Sequence, residues 1–184
     1  MECAMRLIQL LGIATLVIGL STVRADEIQS GPTDKIGGAF FVKAITGEKK
    51  GESLCYVCKF NGEARPAVVL IFTQKADDYL AELVKAVDTV QKNNSKLGTV
   101  VVGIRGVEAA DFEKLQATHK LTTALTIAEE KEGPSRYKLN PEAAVTVLVY
   151  KQGGTIVKNF AFKDTKSAAE KAKDIAAAAE EALK

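Results

Sequence analysis

The sequence predicts an α/β domain: a central mixed sheet flanked by helices, with a β-hairpin at its N-terminal end. Three observations carry that expectation. Residues 67–72 (AVVLIF) and 99–104 (TVVVGI) are unbroken apolar runs rich in branched side chains, the pattern of strands covered on both faces. The segments that follow each run recur with helical spacing. Finally, two strand-like stretches, 145–150 (VTVLVY) and 155–162, flank Lys151-Gln152-Gly153-Gly154, whose paired glycines suit a tight antiparallel reversal.

In chain order, residues 1–25 read as a secretory signal. Arg6 supplies positive charge, residues 7–20 are nearly all apolar, and Val23-Arg24-Ala25 offers small residues at a cut before Asp26. A bilayer takes roughly 20 apolar residues, so the run suits a cleaved signal better than an anchor, and Cys3 leaves with it. The expected product is exported, periplasmic or extracellular, with no membrane attachment after cleavage. Of 184 residues, 25 are Lys or Arg and 23 Asp or Glu, giving a net charge of +2 with no one-sided cluster. That balance argues against nucleic acid and anionic membrane surfaces as partners.

Residues 26–38 are polar and glycine-bearing, the composition of a flexible leader, and the domain is expected over 39–184. Residues 39–45 (AFFVKAI) and 53–56 read as strands around a reversal at 46–51, which makes the hairpin. Pro66 can open the 67–72 strand, where its missing N–H costs least. Leu80, Leu83, Val84, Val87 and Val90 then mark one helical face, with Asp77, Asp78, Glu82, Lys85 and Asp88 opposite and acids at the start. The 99–104 strand and a helix over 108–118, with Phe112 and Leu115 inward, complete a right-handed βαβ unit. Residues 122–128 are strand-like, and 133–140 suit one helical turn plus a connection. Ser167 and Glu170 form a capping box for a last helix, whose stripe of Ala168, Ala172, Ile175, Ala176, Ala179 and Leu183 allows close approach to the sheet. Tyr137 and Tyr150 are expected to pack with their hydroxyls at the surface.

Chemistry concentrates in Cys55-Tyr56-Val57-Cys58-Lys59. Three readings stand side by side. In an exported protein a close pair can be a structural disulfide pinning the hairpin. It can equally be a redox-active dithiol, with Lys59 and Arg65 favouring the thiolate. Metal or haem ligation is the third: two cysteines are half a zinc site, and Lys59 stands where attached haem needs a histidine. His119, the single histidine, reads as a solvated helix end, the Asp77-Asp78 pair as a helix cap, and Asn93-Asn94-Ser95 as a glycosylation acceptor.

The succession of hairpin, βαβα, further strand and turn, then ββα resembles the thioredoxin superfamily in its peroxiredoxin-like form. VVLIF at 68–72, VVVGI at 100–104, and the block from Tyr137-Lys138-Leu139 through VTVLVY to KQGGTIV carry the likeness. The resemblance implies a thioredoxin-like fold. It also places the family's peroxidatic cysteine in the first turn of the helix after the long strand, where this chain has Thr73-Gln74-Lys75-Ala76-Asp77-Asp78-Tyr79 and no thiol. Peroxidase activity of that type is therefore not expected. Val145 stands where thioredoxins carry a cis-proline. The pair at Cys55 and Cys58 precedes the long strand, so it can serve the usual site only if residues 59–65 fold back along the sheet. The working expectation is thiol-disulfide exchange through Cys55 and Cys58, supported by Lys59, on protein thiols or disulfides and with no cofactor or metal. The alternative is a non-catalytic binding module for an unknown protein partner, with the pair as a structural disulfide.

Overall fold

The computed structural model describes residues 28–184; the expected signal and the cut before Asp26 lie outside them. The elements run β1 Val42–Ala44, β2 Ser53–Leu54, α1 Tyr56–Gly62, β3 Ala67–Thr73, α2 Asp78–Asn93, β4 Leu97–Gly103, α3 Ala109–His119 and β5 Ala124–Ala128. A 3-10 turn at Ser135–Tyr137 precedes β6 Val145–Lys151, β7 Ile156–Phe162, α4 Thr165–Glu170 and α5 Ala172–Ala182. One seven-stranded mixed sheet results, in the order β2-β1-β5-β4-β3-β6-β7. β3, β4 and β5 are parallel, and β1, β2, β6 and β7 join antiparallel.

β3 and β4 are buried along their whole length, as their continuous apolar runs require. Alternation along β3 divides the core between two faces. Val69 and Ile71 meet Leu80, Leu83, Val84 and Val87 of α2 and the alanine stripe of α5. Val68, Leu70 and Phe72 meet Tyr56 and Phe60 of α1, with Phe40 and Tyr137. Each large apolar side chain buried here contributes about 1.5–3 kcal/mol.

Several expectations change. Residues 28–38, read as part of a flexible leader, lie against the domain. Ser30 is buried and its hydroxyl meets Thr146 Oγ1 at 2.6 Å, Asn159 Nδ2 donates to the Ser30 and Pro32 carbonyls, and Lys35 bridges to Thr155. Low hydrophobicity concealed a segment held by hydrogen bonds. The hairpin partner of β1 stops at Leu54, and Tyr56 belongs to a helix whose inward face needs it. Asp88, placed on the polar face of α2, is 3% exposed, its carboxylate accepting from the backbone of Thr122 at 2.7 Å and Thr123 at 2.9 Å. Its burial is offset by these donors.

The final helix begins earlier than the capping box suggested: Asp164 is the cap, accepting from Ser167 N at 2.7 Å, and the helix is interrupted at Lys171. Nor do the tyrosine hydroxyls reach the surface. Tyr137 is fully buried between Phe40 and Phe72 and donates to the Gly38 carbonyl at 2.8 Å. A Cβ at Gly37 would lie 2.6 Å from its ring, so the glycine there makes room for it. Tyr150 is buried too, and its hydroxyl has no partner among the described residues.

Candidate functional site

Local sequence builds α1 around the cysteine pair. After β2 pairs with β1, Cys55 keeps extended backbone angles (φ −102°, ψ 104°) and becomes the N-cap of α1. Its Sγ accepts from the Cys58 N–H at 3.1 Å, the position usually filled by an oxygen of Ser, Thr, Asp or Asn. Tyr56 and Phe60, four residues apart, bury one side of the helix. Phe60 lies on Gly98, where a Cβ would stand 3.0 Å from its ring. The chain leaves the helix through Ala64 in the left-handed region (φ 51°), with Arg65 N–H donating to the Phe60 carbonyl at 3.0 Å.

This path answers where the pair stands. β1 aligns Val42 with both Leu54 and Ala128, so β2 ends level with the C-terminal end of β5. α1 then runs back across the sheet, about 10 Å over seven residues, to Gly98 at the start of β4. Residues 59–65 do fold back, as a helix and its exit turn. The pair therefore shares the C-terminal end of the parallel strands with the start of α2, but it lies on the opposite face and toward the β2 edge. β2 and β3 are four strand spacings apart, about 19 Å.

Cys55 and Cys58 form a disulfide. Their surroundings are unequal: Cys55 is 8% exposed, whereas Cys58 is open to solvent. The first cysteine of the pair is thus the covered one. Lys59, expected beside the sulfurs, directs its ammonium group one turn further along α1, to Glu63 Oε1 at 2.5 Å. Arg65 Nε meets the other oxygen of Glu63 at 2.7 Å. Hydrogen bonds from Lys59 first, then Arg65, hold the Glu63 carboxyl below its ordinary value. Tyr56 is pushed up to about 12, chiefly by burial and then by Glu48 and Glu52. The sequence reading missed Tyr56, Phe60 and Glu63; the four-residue spacing of the two aromatics was the available signal.

The start of α2 holds no thiol. Asp77 caps it, accepting from Leu80 N at 3.0 Å through Oδ1 and from Thr165 Oγ1 at 2.6 Å through Oδ2. His119 is a half-buried bridge rather than a free helix end: Nε2 donates to Asp78 Oδ1 at 2.8 Å, and Lys85 Nζ donates to Nδ1 at 3.2 Å. Among the described residues there is no cis peptide bond, so Val145 is trans. Also among them, no three His, Cys, Asp or Glu converge as metal ligands, and no helix is long and apolar enough to cross a membrane.

No protein-family model and no curated protein matches the sequence. Solved structures do match the fold. A secreted disulfide oxidoreductase from Mycobacterium tuberculosis, homologous to E. coli DsbE, superposes with a TM-score of 0.56 at 14% identity, over 76% of this chain and 95% of that one. A secreted thiol-disulfide isomerase from Corynebacterium glutamicum gives 0.59 at 8% identity over 79% and 84%. Peroxidoxin BcpB from Mycobacterium tuberculosis gives 0.54 at 14% identity over 82% and 97%. With the mixed sheet and its flanking helices, these likenesses establish that the chain has a thioredoxin-like fold, of the kind shared by thiol-disulfide oxidoreductases and peroxidoxins.

Proposed function

We propose that this chain is an exported thiol-disulfide exchange protein working through Cys55 and Cys58, and not a peroxidase of the peroxiredoxin type. One observation carries the reading: the Cys55–Cys58 disulfide sits at the first turn of α1 with Cys58 open to solvent. In the dithiol form the pair reduces a protein disulfide. Two electrons pass to the partner, the partner's S–S bond becomes two thiols, and the Cys55–Cys58 bond forms. A small thiol such as glutathione, or a partner dithiol, returns the electrons. Lys59, the residue after Cys58, contributes positive charge, moderated by its pairing with Glu63. The signal-like residues 1–25, and secretion of two proteins of the same fold, support export. Absence of a cysteine from the Asp77-capped start of α2 supports the negative half, since peroxide chemistry there needs a thiolate at that helix start.

A second reading has its own observation. Cys55 is buried and caps α1, as a purely structural disulfide in a protein-binding module would be. Equilibration against glutathione or dithiothreitol, counting free thiols in the folded protein, separates the two. Exchange activity is expected to give a reduction potential of roughly −120 to −270 mV. A disulfide that stays closed until the domain unfolds, with a potential below about −300 mV, would leave the binding module standing.

A further inference from the structure

The two sulfurs are not equivalent, and their difference assigns a direction to the exchange. Cys58 is open to solvent, whereas Cys55 is 8% exposed. Independently, the Cys55 sulfur accepts a hydrogen bond from the Cys58 N–H at 3.1 Å. In thiol-disulfide exchange the attacked sulfur must be reachable, and the departing sulfur leaves faster the better its negative charge is stabilised. A backbone N–H directed at a sulfur stabilises the thiolate more than the thiol.

Resting on the exchange function proposed above, we propose that partners react at Cys58, and that Cys55 is the buried thiol that leaves and resolves. An incoming thiolate attacks the Cys58 sulfur, a mixed disulfide forms there, and the bonding pair departs on Cys55 as a thiolate held by the Cys58 N–H. In the reducing direction the Cys58 thiolate attacks the partner's disulfide and expels one partner thiolate. The Cys55 thiolate then attacks the Cys58 sulfur, the second partner thiolate leaves, and the internal disulfide closes. The exposed member is thus the C-terminal cysteine of the pair. The helix cap does double service, ordering α1 and accommodating the leaving charge.

The test uses the full chain with Cys3→Ser as background, so that only the pair can react. In that background Cys55→Ser leaves Cys58 as the single thiol, and Cys58→Ser leaves Cys55. The first is expected to react with oxidised glutathione about tenfold faster or more. Because serine is itself a good N-cap, Cys55→Ser keeps α1 formed. A second readout uses the intact pair: the oxidised protein is mixed with glutathione, quenched in acid and digested, and glutathione is located by mass spectrometry. Attachment at Cys58 supports the assignment. Attachment mainly at Cys55, or equal rates for the two single thiols, overturns it while leaving exchange intact. Failure of the exchange reading itself looks different, since the internal disulfide of the folded protein would then resist glutathione altogether.

Discussion

Two helices begin at the same end of the sheet on opposite faces, and they are capped by different chemistry. α2 starts with a carboxylate: Asp77 takes the Leu80 N–H and ties the Thr165 hydroxyl of α4 to the same group. α1 starts with a sulfur, the Cys55 Sγ on the Cys58 N–H. In the fold this chain shares, the helix after the long strand is where a reactive thiol is expected. Here that start is held by an anion that would repel a thiolate, and its neighbour Asp78 is paired to His119. The long helix α2 thus starts on a carboxylate, whereas the cysteine pair stands on a helix of seven residues resting on two aromatic side chains.

The comparison predicts that damage to one start spares the other. Asp77→Ala removes the cap of α2 and the partner of Thr165, and should cost about 1–2 kcal/mol, read as a lower urea midpoint with an unchanged slope. Its rate of reaction with glutathione at the Cys55–Cys58 disulfide should equal that of the parent. A changed rate would mean that the two helix starts are coupled across the sheet.

A smaller effect distinguishes the polar groups buried on the α1 face. Tyr137 donates to the Gly38 carbonyl and so ties the N-terminal segment to the core, whereas the Tyr150 hydroxyl is buried without a partner among the described residues. Tyr137→Phe should lose about 1 kcal/mol, because a net hydrogen bond goes and the carbonyl is left to find water. Tyr150→Phe should be neutral or slightly stabilising, since it removes an unsatisfied group. Equal losses in thermal or urea unfolding would show that ring packing alone matters on this face.

What was legible in the sequence followed from periodicity. The runs at 67–72 and 99–104, the Leu80 to Val90 face and the paired glycines at 153 and 154 each stand in the expected element, because burial on two faces or one leaves a repeating mark. The failures share a different cause. Residues 28–38 are positioned by side-chain amides and hydroxyls such as Asn159 and Ser30, which leave no period. α1 is short enough to show only the single four-residue spacing of Tyr56 and Phe60, and an N-cap made by cysteine hides among turn residues. Asp88 looked solvated because nothing local announces that Thr122 and Thr123 will meet it. For the site, the residue types were readable and the placement was not: which cysteine is covered depends on the return path of α1 over β4.

The smallest expected effect concerns Lys59, the cation in the last turn of α1. Lys59 and Arg65 both bond to Glu63, whose carboxyl titrates below the ordinary glutamate value of 4.5 in the folded chain. As pH falls, the unfolded chain takes up this proton first. The stabilisation is therefore full above about pH 4.5 and declines below it, until the folded carboxyl is protonated as well. Glu63→Gln should cost a few tenths of a kcal/mol at neutral pH, the scale of an exposed pair, since the Glu63 side chain is 35% accessible. The gap between variant and parent should close as the solution is acidified through that window, as followed by urea unfolding at several pH values. The same variant frees the Lys59 ammonium group one turn from the disulfide. If Lys59 supports a thiolate there, the single-thiol forms with Glu63→Gln should react faster with oxidised glutathione than those with Glu63, and the increase should fade at high salt. An unchanged rate would remove Lys59 from the exchange machinery and leave the Cys58 N–H as the group that steadies the sulfur.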